Sequence, residues 1–201
     1  MSETKRVTKR RTQTRQRLLD AALTVFAEQG FGASTVEQVC DRAGYTRGAF
    51  YSNFVSLDEL FLAMWEQRSA EMLADLRATL VETPPTLEAA IEQLLAAIPV
   101  DDEWYRVTAE FTAHALRNPA LKRVMAARED AILETIMPIL EPALATAGRV
   151  VPDRRAFGLA LVAVHDGTAT QCLMDPDDES IRAARHRLFA TVVRAYSEEQ
   201  S

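Results

Sequence analysis

The sequence predicts an all-α fold, a small N-terminal head of three short helices joined to a larger helical body, and three observations carry that prediction. Apolar residues recur three and four positions apart over most of the 201 residues, the period of a helix and not of a strand. No stretch alternates apolar and polar residues for long enough to suggest a strand, and no internal repeat is present. Serine, threonine or aspartate precedes many of the periodic segments and glycine or proline follows them, where helices start and stop.

The first stripe is Leu19, Ala22 and Phe26, closed by Gly30, with Phe31 available to cover the core. A second helix follows with Val36, Val39 and Ala43 at helical spacing. Its start has a capping-box spacing in two registers, Ser34 to Glu37 or Thr35 to Gln38, and Gly44 stands where a left-handed residue would end it. The turn Gly44-Tyr45 leads to Thr46, a predicted N-cap whose helix would begin with unpaired N–H groups suited to a phosphate. Phe50 and Phe54, four residues apart, anchor one face of that helix and leave Arg47, Gly48, Ala49, Tyr51, Ser52 and Asn53 facing outward. Two short helices joined by a tight Gly-containing turn make a helix-turn-helix, whose second helix can enter a DNA major groove. Three such helices bury little alone, so Leu57, Leu60 and Phe61 of a fourth must contribute.

The fourth helix is predicted over 56–81, with Phe61, Met64, Leu73, Leu76 and Leu80 inward and Pro84-Pro85 as its stop. A fifth covers 86–98 and ends at Pro99; Asp101 or Asp102 caps a sixth in which Trp104, Val107, Phe111 and His114 share a face. Asn118-Pro119 opens a seventh that reaches about 147, and Pro138 and Pro142 each remove a ladder donor and are expected to kink it. The segment 154–173 is apolar on every side from Ala156 to Val164, so it is expected to be buried by its own domain on one side and by a second subunit on the other. After the Asp175-Pro176 break, Asp177 and Asp178 cap a last helix with Ile181, Ala184, Leu188, Val192 and Ala195 in a stripe and Phe189, Val193 and Tyr196 beside it. The predicted homodimer seam takes Leu161, Val164, Gly167, Ile181, Leu188 and Val192, where small residues such as Gly167 permit close approach of helices. The predicted division is a head at 1–56 and a body at 57–201.

The formal net charge of −6 is unevenly spread. Residues 1–17 hold seven Lys and Arg, Arg15 among them, against Glu3 alone, a net +6 that leaves −12 for the remainder. A basic arm of this kind supplies phosphate neutralisation or minor-groove contact, and is expected as a tail that orders on meeting DNA. Cys40 and Cys172 lie far apart in this layout and are expected as reduced, structural thiols. No apolar run approaches the roughly 20 residues that span a bilayer, and the charged N-terminus has no apolar segment behind it, so no membrane partner and a cytoplasmic location are expected. There is no Gly-rich phosphate loop, nucleophile elbow, or His or Cys pair at metal spacing, so neither an enzyme, a cofactor nor a metal is expected. The acidic run 175–179 lacks the glycine and spacing of a calcium loop and is explained by helix capping.

From about residue 15 to 64 the chain resembles the TetR family of bacterial transcriptional regulators. The matching run is Arg17-Leu18-Leu19-Asp20-Ala21-Ala22, Val25-Phe26-Ala27-Glu28-Gln29-Gly30-Phe31, Ser34-Thr35-Val36, Val39, Ala43-Gly44, and Gly48-Ala49-Phe50-Tyr51-Ser52-Asn53-Phe54 with Ser56 and Leu60. The resemblance implies a DNA-binding domain on a larger helical domain that dimerises through a four-helix seam and usually holds a small-molecule ligand. Position by position it implies that Thr35, Tyr51 and Asn53 touch the DNA backbone, while Thr46, Arg47, Gly48 and Ser52 lie nearest the base edges, Arg47 reading a guanine. Two departures stand out: Leu57 replaces a lysine that commonly touches the DNA backbone, and Asn53 stands where an aromatic residue or histidine is frequent.

Together these features predict a ligand-responsive repressor that binds a near-palindromic double-stranded DNA operator as a homodimer, its two recognition helices about 34 to 36 Å apart. Trp104, Phe111, Met125, Met137 and Phe157 are candidates to line an effector cavity, with His114, His165 and Gln171 as polar anchors, and the expected effector is small and largely apolar. The same aromatic and Met residues also make ordinary core. A protein that coats DNA without sequence preference is the competing reading.

Overall fold

A computed structural model describes residues 2–79, 84–98 and 100–200. Among them the order is α1 (Ser2–Gln29), a 3-10 turn (Phe31–Ala33), α2 (Val36–Ala43), α3 (Arg47–Tyr51), α4 (Leu57–Thr79), α5 (Leu87–Ala97), α6 (Asp102–Ala115), α7 (Pro119–Thr146), β1 (Arg149–Val150), α8 (Arg154–Met174), α9 (Glu179–Ala195) and β2 (Glu198–Glu199). The all-α expectation holds. The exception is the two-residue antiparallel pair in which Arg149 sits opposite Glu199 and Val150 opposite Glu198, too short for any periodicity to announce. The basic arm is not a tail: α1 begins at Ser2, and no Gly or Pro precedes Gly30 to stop a helix rich in Lys, Arg and Gln. Leu80, expected inward on the fourth helix, and Pro99, expected to end the fifth, lie outside the described residues.

Packing divides the chain into two compact units, residues 1–70 with 101–117, and residues 71–100 with 118–201. The boundary expected at residue 56 is therefore moved, and the first unit is discontinuous. The physical reason is the shortage of apolar surface on three short helices. Leu60, Phe61, Met64 and Trp65 from α4 and Trp104, Val107 and Phe111 from α6 complete a core begun by Leu18, Ala22, Val25 and Phe26. Phe61 stacks on Phe111 at 5.4 Å, Phe111 on Trp65 at 4.3 Å and Trp65 on Trp104 at 6.1 Å, all within 24° of parallel. Phe31 covers this column as expected, with its ring centroid 4.6 Å from that of Phe61 and its N–H donated to the Glu110 carboxylate.

The second unit buries Leu76, Ile91, Leu94, Met137, Leu140, Leu144, Phe157, Leu161, Phe189 and Val193 in one core. Its helices start where polar caps stand: Thr86 accepts from the Ala89 N–H, Asp153 from Ala156 and Asp178 from Ser180. In the first unit Asp101, not Asp102, caps α6 by accepting from the Trp104 N–H. Leu73 is half-buried. α7 continues as one helix through Pro138 and Pro142, both of which face solvent. No described helix is long and apolar enough to cross a membrane.

Candidate nucleic-acid interface

The local geometry of the head follows from its caps. Thr35 closes the capping box: its hydroxyl accepts from the Gln38 N–H, and the Gln38 side chain accepts from the Thr35 N–H at 2.7 Å. This settles the register that the sequence left open between Ser34 and Thr35. Ser34 instead donates its hydroxyl to the Gly30 carbonyl at 2.7 Å. Gly44 ends α2 with φ 72° and ψ 35°, a left-handed conformation that a side chain would disfavour. Thr46 then accepts from the Ala49 N–H and starts α3.

α3 has only five residues, so it is held by tertiary contacts and not by its own propensity. Phe50 is fully buried and Phe54 nearly so, their rings 5.9 Å apart. With that face anchored, Arg47, Gly48, Tyr51 and Ser52 are exposed, Tyr51 to 51 %. Thr35 and Thr46 are exposed as well. Nothing but the Thr46 hydroxyl lies within 4 Å of where a Gly48 side chain would be, so a groove wall could approach the backbone there. Asn53 is half-buried and donates its amide to the Ala49 carbonyl at 2.8 Å, which turns it partly inward. The Arg47 guanidinium is paired with Glu37 and lies 5.9 Å from the Tyr51 ring centroid; Tyr51 first, then Glu37, push its pKa up, so it stays charged. The sequence offers Glu37 only as a capping-box partner of Ser34; its pairing with Arg47 comes from its exposed place on α2 beside the start of α3.

The basic end of α1 reaches the same surface. Arg11 donates to the Ser52 carbonyl at 3.3 Å, and the Arg15 guanidinium sits 4.4 Å over the Phe54 ring. Arg15 thus packs on the recognition helix instead of extending freely. Cys40 is buried, and burial first, then Asp41 and Glu37, raise its thiol pKa, so it is held as an unreactive thiol. Both cysteines are free.

The eight effector candidates do not fall together within one unit. Trp104 and Phe111 belong to the aromatic column of the first unit, and His114 lies beside them with Nε2 3.6 Å from the Asp58 carboxylate and its ring 5.6 Å from Phe31. Met137 and Phe157 are fully buried in the core of the second unit, Met125 and His165 are partly buried there, and Gln171 is exposed. Of the six seam candidates, Leu161 is only 3 % exposed and packs in its own core; the apolar periodicity of this helix could not say which face turned inward. Val164 and Val192 pack partly against that core and Ile181 is half-buried, while Leu188 and Gly167 are exposed. Leu159 and Ala163 join Gly167 on the exposed face of α8. On α9 the buried stripe is Arg185, Phe189 and Val193, while Ala184 and Val192 are half-buried and Leu188 is exposed.

Arg185 was missed in the sequence, although it precedes Phe189 and Val193 at steps of four. Its Nη1 donates to Thr168 Oγ1 at 2.7 Å and to the His165 carbonyl at 3.3 Å, and its Nη2 lies 3.0 Å from His165 Nδ1. Burial, then Arg185, then Arg128 lower the His165 pKa to about 4, so this imidazole is neutral at physiological pH.

A helix-turn-helix with an outward polar face, carried by a chain with a separate helical second unit, defines a DNA-binding transcriptional regulator. Residues 18–64 match the bacterial regulatory proteins of the tetR family, and residues 84–196 match the C-terminal domain of BetI-type transcriptional repressors. The chain belongs to the TetR family. It is 32 % identical over 103 residues to the transcriptional activator FasR of Mycolicibacterium smegmatis, a stretch covering 50 % of this chain but only 47 % of FasR. It is 23 % identical over 188 residues to the regulator UidR of Escherichia coli K12, covering 90 % of each. A transcriptional regulator from Saccharomonospora viridis, crystallised in complex with choline, has the same fold, with a TM-score of 0.75 at 17 % identity over 94 % of this chain and 100 % of that one. These relatives are named as transcriptional regulators.

Proposed function

We propose that the protein is a repressor that binds a near-palindromic operator as a homodimer and is released by a small, largely apolar effector. The observation that carries the DNA half of this reading is the anchored, outward-facing α3, with Arg47, Gly48 and Ser52 uncovered and Thr46 at its cap. In the proposed complex Arg47 reads a guanine, Thr46, Gly48 and Ser52 approach base edges, and Thr35, Tyr51 and Asn53 touch phosphates. Arg15 stiffens the edge of α3 through Phe54, and its neighbours on α1 supply the salt-dependent phosphate contacts.

The homodimer is supported by Leu159, Ala163, Gly167 and Leu188, apolar or small residues left exposed on α8 and α9. The choline-bound regulator of similar fold supports a small-molecule effector. If an effector fits only one spacing of the two heads, it shifts the population to that form, and DNA weakens effector binding by the same factor. The match to a repressor C-terminal domain favours repression. Activation is the second reading, favoured by the name of FasR.

The test is fluorescence anisotropy with DNA from upstream of the protein's own gene across a salt series. Sequence-preferring binding at a palindrome with a steep salt slope is expected. Equal, weak binding to every duplex would replace this reading with non-specific DNA coating.

A further inference from the structure

We infer that Glu37 sets sequence specificity by holding the Arg47 guanidinium for a guanine and keeping it from acting as a sequence-blind partner of phosphate. This rests on the operator-binding reading above, in which Arg47 faces the bases. Arg47 Nη1 pairs with the Glu37 carboxylate across the turn that joins α2 to α3. Glu37 stands in the first turn of α2, fixed by the capping box of Thr35 and Gln38, and Arg47 opens α3, which Thr46 caps. Both ends of the pair are thus carried on anchored turns. The Arg47 and Glu37 side chains are 60 % and 54 % exposed, so in water the pair adds little to folding. Its effect is felt when a duplex excludes that water and the attraction between the two charges strengthens.

Charge accounts for the discrimination. A lone arginine at this surface would neutralise any phosphate within reach, whatever the sequence. Paired with Glu37 it carries no net charge, and the same carboxylate repels a phosphate that approaches the pair. A guanidinium has more N–H donors than one carboxylate and one hydroxyl can take, so Nη1 can stay on Glu37 while the rest of the fork meets O6 and N7 of a guanine. The long side chain then loses little rotamer freedom on binding, because the free protein already holds it. The favourable contact is reserved for the base edge. Asp41 lies one turn further along α2, is exposed and carries the same charge, which makes it the control.

Glu37→Gln tests this on the full-length protein, since it removes the charge, keeps the size and helix propensity, and at an exposed site retains the fold. Base preference is read by sequencing duplexes selected from a random pool, and affinity by fluorescence anisotropy on the selected duplex and a scrambled one across a salt series. At the base pair whose preference Arg47→Ala relaxes, Glu37→Gln is expected to lower the guanine preference and to raise affinity for the scrambled duplex, each by about threefold, the repulsion of two unit charges about 6 Å apart in water. The salt slope on the scrambled duplex is expected to steepen by about 1 as Arg47 gains a phosphate, a change that a purely structural Glu37 would not produce. Asp41→Asn is expected to leave the guanine preference alone, and Glu37→Gln added to Arg47→Ala to change it no further. An unchanged guanine preference in Glu37→Gln overturns the inference. So does an equal loss in Asp41→Asn, which would make it an effect of charge alone, or a further loss in the Arg47→Ala background, which would make Glu37 a direct acceptor from cytosine N4. If the wild type does not distinguish the selected duplex from the scrambled one, the operator reading falls and this inference with it; if it does and Glu37→Gln matches it, this inference alone falls.

Discussion

Phe50→Ala measures how far the reading surface depends on its buried side. The Phe50 side chain is fully buried, and replacing it removes a whole ring from a core that has little room to collapse. A Phe→Ala change at such a site costs about 3 to 5 kcal/mol, transfer and cavity together. For a domain of 60 to 100 residues that lowers Tm by roughly 4 to 8 °C per kcal/mol, enough to unfold most small domains near body temperature. The five residues of α3 cannot form a helix alone, so they are lost first. Hydrogen exchange reads this directly. The Ser52 N–H on the Gly48 carbonyl and the Phe54 N–H on the Phe50 carbonyl are expected to lose protection, together with operator binding, while amides in the α5, α7 and α8 core keep theirs. Retained protection at Ser52 and Phe54 with unaltered DNA affinity would refute the argument that buried anchors, and not local propensity, hold α3 in place.

Three further outcomes are expected. Arg47→Ala should relax sequence preference at one base pair of a selected duplex pool by about five- to 150-fold, with Tm unchanged because its described partners Glu37 and Tyr51 are themselves exposed; an unaltered preference removes Arg47 from base reading. Gly44→Ala meets no atom within 4 Å, so its whole effect is the strain of φ 72°, about 1 kcal/mol by urea denaturation, and a null result would mean that the turn relaxes. His165 gives a pH dependence: with an ordinary pKa of 6.5 unfolded and about 4 folded, the unfolded state binds the extra proton between those values. Stability should then fall by on the order of 3 kcal/mol as pH drops from about 6.5 to 4 and level off below, and His165→Gln should flatten that part of the Tm against pH curve.

The parts of the fold legible in the sequence are those that short-range chemistry decides. Thr46 and Gly44 were readable because a cap and a left-handed stop act over three or four residues, and Phe50 and Phe54 because anchors recur at helical spacing. What escaped was long-range. Nothing in the α6 sequence says that Trp104 and Phe111 serve the first unit, since the same apolar stripe could line a cavity or fill any core. Leu161 is core, which its sequence does not reveal because α8 is apolar all round and periodicity names no face. Arg185 was overlooked because charge in a sequence reads as solvated surface, and only the packing of α9 on α8 shows the guanidinium inside.

The aromatic column of the first unit has a spectroscopic consequence. Both tryptophans of the chain, Trp65 and Trp104, stand in it, so the second unit contributes no indole emission. Excitation near 295 nm therefore illuminates the DNA-reading unit alone, without any label. A change in that glow on adding a molecule whose contacts lie in the other unit would register, in real time, that its arrival had been felt at the reading end.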